Sequence, residues 1–139
     1  DDVDRVLAAS DILVITLALT TKTDGLIGAA RLARMKPDAV LVNVARGEII
    51  DEDDLYAHLR NNPAFTACLE AWWIEPVRHG RFETKHPFLG LPNVIASPHN
   101  SAMTEGALAT AARRGAENVA RFLTGGTPKF IAGDDVRMV

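Results

Sequence analysis

Three polar residues in this chain follow closely on short apolar runs: Arg46 after residues 40–44, Glu75 beyond residues 66–69, and His99 after residues 93–96. In a parallel α/β sheet the residues just past each strand stand at the carboxyl edge, where ligands bind. Arginine followed by the small Gly47 can aim a planar, permanently charged fork into a crevice, and that fork suits a carboxylate held by two hydrogen bonds. Glu75, before Pro76, and His99, after Pro98, fall on neighbouring strand ends and can meet although they are distant in sequence. A carboxylate beside an imidazole favours the imidazolium and orients the ring. The imidazolium can then give its proton to a carbonyl oxygen while a hydride arrives at the adjoining carbon. Taken singly, each residue has a plain alternative: a solvated arginine, a loop glutamate before proline, a histidine that ends a strand. Together, on three successive strand ends, they form a chemical set.

The elements that would position them are written in the hydropathy pattern. Residues 11–19 and 40–44 are nearly continuous apolar runs, the pattern of strands buried on both faces, and residues 66–69 and 93–96 repeat it more briefly. Between them lie helical stretches at residues 3–10, 28–35 (stopped by Pro37) and 51–60. The last of these has Asp51 to cap it, acids in its first turn and Arg60 at its end. The longest helix is expected from Thr104, as N-cap, to Leu123, with Leu108, Val119, Phe122 and Leu123 on one apolar stripe and Gly125-Gly126 closing it. Strands alternating with helices predict an α/β fold of right-handed βαβ units, a parallel sheet with helices on both faces.

The bulk numbers narrow the function. At 139 residues and 47% apolar content the chain has one domain's length and enough material for a core. A net charge of −3 and no long basic run argue against nucleic acid and anionic membrane as partners. No apolar stretch is long enough to span a bilayer. Cys68 is the one cysteine and is read as a small buried hydrophobe, and His58, His79 and His86 show no metal-ligand spacing, so no metal site is expected. The simplest placement is cytoplasmic.

With these residues in view, a resemblance covers essentially the whole chain. D-isomer-specific 2-hydroxyacid dehydrogenases carry segments like N-x-x-R-G-x-x-[IV]-D, L-D-V-[FW]-x-x-E-P and P-N-V-x-x-[TS]-P-H. Here stand Asn43-Val-Ala-Arg46-Gly47-Glu-Ile-Ile50-Asp51, Leu69-Glu70-Ala-Trp72-Trp-Ile-Glu75-Pro76 and Pro92-Asn93-Val-Ile-Ala-Ser97-Pro98-His99, in that order. His86-Pro87-Phe88-Leu89 is similar to the family's H-P-L-L, and Ser10-Asp11 with Leu19-Thr20-Thr21-Lys22-Thr23 to its S-D…P-L-T-x-x-T. The resemblance implies a doubly wound, Rossmann-like domain that binds NAD, with NADP left open, and a D-2-hydroxy acid/2-oxo acid pair as substrate. It implies that Arg46 binds the substrate and that His99 moves the proton, paired with Glu75. Thr23, the backbone of Val44 and Ala45, Arg46, Glu70 and His99 would line the cofactor. Residues 1–124 would be the nicotinamide-side, C-terminal half of the NAD-binding domain, and 125–139 a tail leading back to the substrate domain. A homodimer is expected. Related NAD-sensing corepressors supply the alternative of a binding protein without metabolic turnover.

The sequence departs from that pattern in three places. No G-x-G-x-x-G occurs, so the loop that cradles a cofactor pyrophosphate is missing, and the chain reads as a fragment inactive on its own. Glu70 stands where the family has Asp, one methylene longer. Ala18 replaces a proline before Leu-Thr. A sheet cut near its middle would also expose a strand edge able to pair with another chain. Trp72 is expected to pack against sheet or helix, and Trp73 to be partly exposed.

Overall fold

The computed structural model describes residues 2–129. Four strands, β1 (Ile12–Ile15), β2 (Val40–Asn43), β3 (Thr66–Leu69) and β4 (Val94–Ala96), form one sheet in the order β1-β2-β3-β4. Every pair is parallel, and Ile15, Asn43, Leu69 and Ala96 stand in one register across the sheet. All four strands therefore end together, and the segments after them share one carboxyl edge.

The helices are α1 (Asp2–Ala9), α2 (Ala29–Leu32), α3 (Glu52–Asn61), α4 (Pro76–His79) and α5 (Ala107–Leu123), with 3-10 turns at Gly47–Ile49 and Phe88–Gly90. The Asp51 carboxylate accepts from the Asp54 N–H at 2.9 Å, the N-cap expected of α3. Asp54 in turn accepts from the first N–H of α2 at 2.7 Å, so the short helix is pinned to the longer one. At the other end of α3, the carbonyl of Leu59 faces the position of Pro63, which has no N–H to give. The buried Asn93 amide fills the gap, donating to the carbonyls of Leu59 (3.1 Å), Asn62 (3.3 Å) and Phe65 (2.8 Å). Asn93→Ala removes the amide from the Leu59 and Phe65 carbonyls, while Asn62 keeps the Phe65 N–H, and is expected to cost about 1–3 kcal/mol, read as a lower denaturant midpoint at unchanged m-value.

The core lies on one face of the sheet. Leu13, Leu41, Ala67 and Val94 point into it from matching positions, and Leu32, Leu55, Leu59, Phe65 and Phe88 close it from the helices and loops. The opposite face departs from the expectation of a sheet covered on both sides. Ile12, Val14 and Ile95 are exposed there, and Val40, Val42, Thr66 and Cys68 only half-buried, because the side chains that α1, α2 and α3 bury join the core on the other face and α5 buries none. The first apolar run also yields a shorter strand than its length suggested: residues 16–19 leave the sheet and turn back toward the core at Leu19.

The longest helix differs too. Thr104 is not its N-cap; α5 begins after Gly106, whose left-handed φ of 76° breaks the chain direction. Its apolar stripe exists but buries nothing, with Leu108 80% and Leu123 76% exposed. Most of the expected tail lies outside the described residues. Within them, Gly125 adopts φ 75° and the Gly126 N–H returns to the Arg121 carbonyl, the expected helix stop.

Candidate active site

Each of the three chemical residues is held by a different device. Arg46 follows β2 in an extended conformation and opens the 3-10 turn at Gly47–Ile49. The buried Asn43 side chain braces this turn from both sides: its oxygen accepts from the Ala45 N–H at 3.0 Å and its nitrogen donates to the Arg46 carbonyl at 2.9 Å. Its own carbonyl accepts from Glu70 and Ala71, which ties the end of β2 to the end of β3. The Arg46 guanidinium donates to the Ala45 carbonyl and has no carboxylate partner among the described residues. A permanent cation is thus available in the cleft.

Glu75 precedes α4, whose Pro76 opens the helix and whose Gly80 closes it at φ 69°. The carboxylate is buried, 6% exposed, a position that demands partners. Its Oε1 receives two: the Trp72 N–H and the His99 ring nitrogen Nδ1, each at 2.8 Å. His99 itself has φ 52°, the one non-glycine residue in the left-handed region among those described. Such a backbone is costly outside glycine and is retained where surrounding contacts enforce it. With Nδ1 turned to Glu75, Nε2 has no protein partner among the described residues. The carboxylate accepts Nδ1–H, so Nε2 gains or loses the mobile proton.

Arg46, Glu75 and His99 line one open cleft of about 780 Å³ beyond the ends of β2, β3 and β4. The structure therefore brings the proposed chemical set together. The cofactor residues are placed differently. Thr23 sits in the turn after β1, where its hydroxyl accepts from Thr20 N–H at 2.8 Å and donates to the Ala18 carbonyl at 2.7 Å. Val44 stands exposed at the end of β2, and Ala45 is buried. Glu70 is buried, and its Oε1 accepts from the Ser101 N–H at 2.5 Å, which anchors the turn just past His99. Burial works against its charge, but Ser101, the His99 charge and the Asn100 N–H outweigh it and hold the carboxyl below its usual range. Cys68 is pushed the other way, its thiol raised by burial, which makes it a poor nucleophile.

Three supports escaped the sequence-based account. Gly47 is needed for contact, not for its dihedral angles: a Cβ there would lie 2.4 Å from the Trp72 carbonyl carbon and 2.5 Å from the Trp73 nitrogen. Arg78, on α4, pairs with Glu48 of the Arg46 turn. The Trp73 indole, half-buried against Phe88, donates to the Ile50 carbonyl at 2.8 Å. All three clamp the loop carrying Arg46 to the loop carrying Glu75. The Gly47 and Asn43 positions were visible in the motif, but their partners were not. Helix α4 had a usable signal in Pro76 and Gly80. Trp72 packs as expected, 3% exposed, with its indole donating to the Ser97 carbonyl at 3.0 Å.

Comparison with known proteins places this geometry in context. The family described as D-isomer specific 2-hydroxyacid dehydrogenase, NAD binding domain, matches residues 1–101. Glyoxylate/hydroxypyruvate reductase B of Pectobacterium carotovorum subsp. carotovorum is 45% identical over 103 residues, 74% of this chain and 31% of that protein. The D-isomer specific 2-hydroxyacid dehydrogenase of Xanthobacter autotrophicus Py2, crystallised with NADPH and MES, superposes with a TM-score of 0.78 at 34% identity, over 91% of this chain and 50% of that one. D-lactate dehydrogenase of Lactobacillus jensenii, crystallised with NAD+, gives a TM-score of 0.74 at 26% identity, over 94% and 42%. The chain spans about a third of the length of the first of these relatives.

Proposed function

The chain belongs to the D-isomer specific 2-hydroxyacid dehydrogenase family, within its NAD binding domain, and on that premise we propose that the intact protein interconverts a 2-oxo acid and its D-2-hydroxy acid. The observation that carries this is the 2.8 Å contact of His99 Nδ1 with the buried Glu75, in a cleft shared with an arginine that no acid among the described residues neutralises.

The residues fit the nicotinamide end of a dinucleotide. Val44 is exposed just past β2 at the carboxyl edge, and no glycine-rich phosphate loop occurs in the sequence, so the residues present account for the nicotinamide end and not for the pyrophosphate. Thr23, Val44, Ala45, Arg46, Glu70 and His99 are the residues we assign to that end, Glu70 acting through the turn it anchors after His99. Bound NADH or NADPH supplies the hydride for C2 of the substrate. Arg46 takes the substrate carboxylate and steadies the carbonyl, using a charge that no carboxylate among the described residues pairs. His99, as imidazolium, gives its Nε2 proton to the carbonyl oxygen as C2 is reduced, and in oxidation the neutral ring takes the hydroxyl proton back. Glu75 fixes the ring so that Nε2 faces the cleft, and offsets the positive charge during the part of the cycle when the ring is protonated.

Residues 1–124 are read as the nicotinamide-side half of the domain, and a homodimer located in the cytoplasm as the working form. The test is turnover: the intact protein with NADH and a panel of 2-oxo acids is expected to consume NADH in step with 2-hydroxy acid formed, of the D configuration. Cofactor binding with no turnover of any 2-oxo acid would leave a binding protein instead.

A further inference from the structure

From the side chains that wall the cleft, we infer that the substrate is a 2-oxo acid with a branched aliphatic or aromatic side chain, not a small polar or dicarboxylic one. The inference rests on the dehydrogenase reading above and specifies its substrate.

Past the polar end made by Arg46, Glu75 and His99, the cleft is lined by Trp72, Val77, Phe82, Leu89 and Met103. These are large apolar groups, and several stand open to the cavity: Val77 is 96% exposed, Met103 77%, Leu89 66% and Phe82 47%. Charges are scarce in that wall. Arg78 is the second cation of the lining, and Glu48 already neutralises it. His99 is engaged by Glu75. A second carboxylate or a phosphate on the substrate would thus find no unpaired cation among the described lining residues, and would lose its hydration against apolar atoms. Glyoxylate, with hydrogen in place of a side chain, would leave the wall wet. Ser97 and Asn100 are the uncharged polar side chains of the lining, set among mostly apolar neighbours.

Phe82 gives this wall a fixed position relative to the chemistry. Its ring sits edge-on to Trp72, centroids 5.3 Å apart at 79°. The Trp72 indole is locked to the Ser97 carbonyl, two residues before His99, while the Trp72 N–H holds Glu75. The loop bearing Phe82 is tied down on both sides, by Arg78 to Glu48 and by the Glu83 N–H to the Ile74 carbonyl. An apolar surface is therefore built onto the same tryptophan that orients the acid-base pair. Each methylene matched to such a surface changes discrimination by roughly 10–200-fold.

The experiment measures kcat/KM of the intact protein with NADH on glyoxylate, hydroxypyruvate, 2-oxoglutarate, 4-methyl-2-oxopentanoate and phenylpyruvate. One of the last two is expected to exceed all of the first three by at least about tenfold. Phe82→Ala, at a half-exposed position that folding tolerates, is expected to lower the ratio of kcat/KM for the apolar substrate to that for glyoxylate by about tenfold. A preference for glyoxylate, hydroxypyruvate or 2-oxoglutarate, or an unchanged ratio in Phe82→Ala, overturns the inference and leaves the dehydrogenase reading standing. Absence of turnover on every acid overturns both.

Discussion

Replacing His99 with alanine lowers kcat of the intact protein by about 10²–10⁴-fold and leaves the affinity for NADH within a few-fold. The expected size follows from what remains. Without the ring, the cleft retains Arg46, which does not surrender a proton, and Glu75, which is buried and already bound to the Trp72 N–H. No group among the described lining residues takes over the proton. Alanine at φ 52° also carries backbone strain, so the loss needs a control. Asparagine tolerates the left-handed region and cannot act as the acid. His99→Asn should fold normally and lose as much turnover as His99→Ala. Recovery of turnover in the asparagine variant would assign the loss to backbone strain and remove His99 from the mechanism.

Gly47→Ala is expected to be nearly as damaging, for a reason unconnected with proton chemistry. The added methyl meets main-chain atoms of Trp72 and Trp73 at 2.4–2.7 Å, and main chain cannot swing aside as a side chain would. The loops after β2 and β3 must separate. Overpacking of this kind costs roughly 1–3 kcal/mol, seen as a lower denaturant midpoint. Separation also carries Arg46 away from the pair formed by Glu75 and His99, and a displacement of about 1 Å in a reacting set can cost ~10²-fold in rate. The two losses should appear together. An alanine variant with wild-type kcat/KM would mean that the contact between these loops does not position the arginine.

The contrast between these two residues explains what sequence could and could not reveal. His99, Glu75 and Arg46 stand out because each follows an apolar run, and the parallel sheet converts order along the chain into neighbourhood at one edge. Asp51 as a helix cap was equally readable, since a cap depends on residues three positions apart. Gly47 opposite Trp72, Asn93 beneath the end of α3 and Glu48 against Arg78 depend on which distant segments meet. No local periodicity records such meetings. The strand expected over residues 11–19 was overextended for a related reason: continuous hydropathy marks burial, and Leu19 is buried outside the sheet, in the irregular segment before the turn. The stripe on α5 was correctly seen as apolar, yet it lies exposed, because a stripe states the need for a partner without supplying one.

Glu70 illustrates a role that changes when geometry is added. By resemblance it belongs with the cofactor. In the fold its carboxylate is committed to the Ser101 N–H, and through that bond it secures the turn on which His99 is mounted.

The most direct measurement is a crystal structure of the intact protein with NAD+ and oxamate, an unreactive 2-oxo acid analogue. The oxamate carboxylate is expected on the Arg46 guanidinium, and its carbonyl oxygen at roughly 2.6–3.2 Å from His99 Nε2, with the ring still bound to Glu75 through Nδ1. Oxamate bound with Arg46 turned away, or with Nε2 out of hydrogen-bond reach of the carbonyl oxygen, would contradict the assignment of these three residues to one reaction.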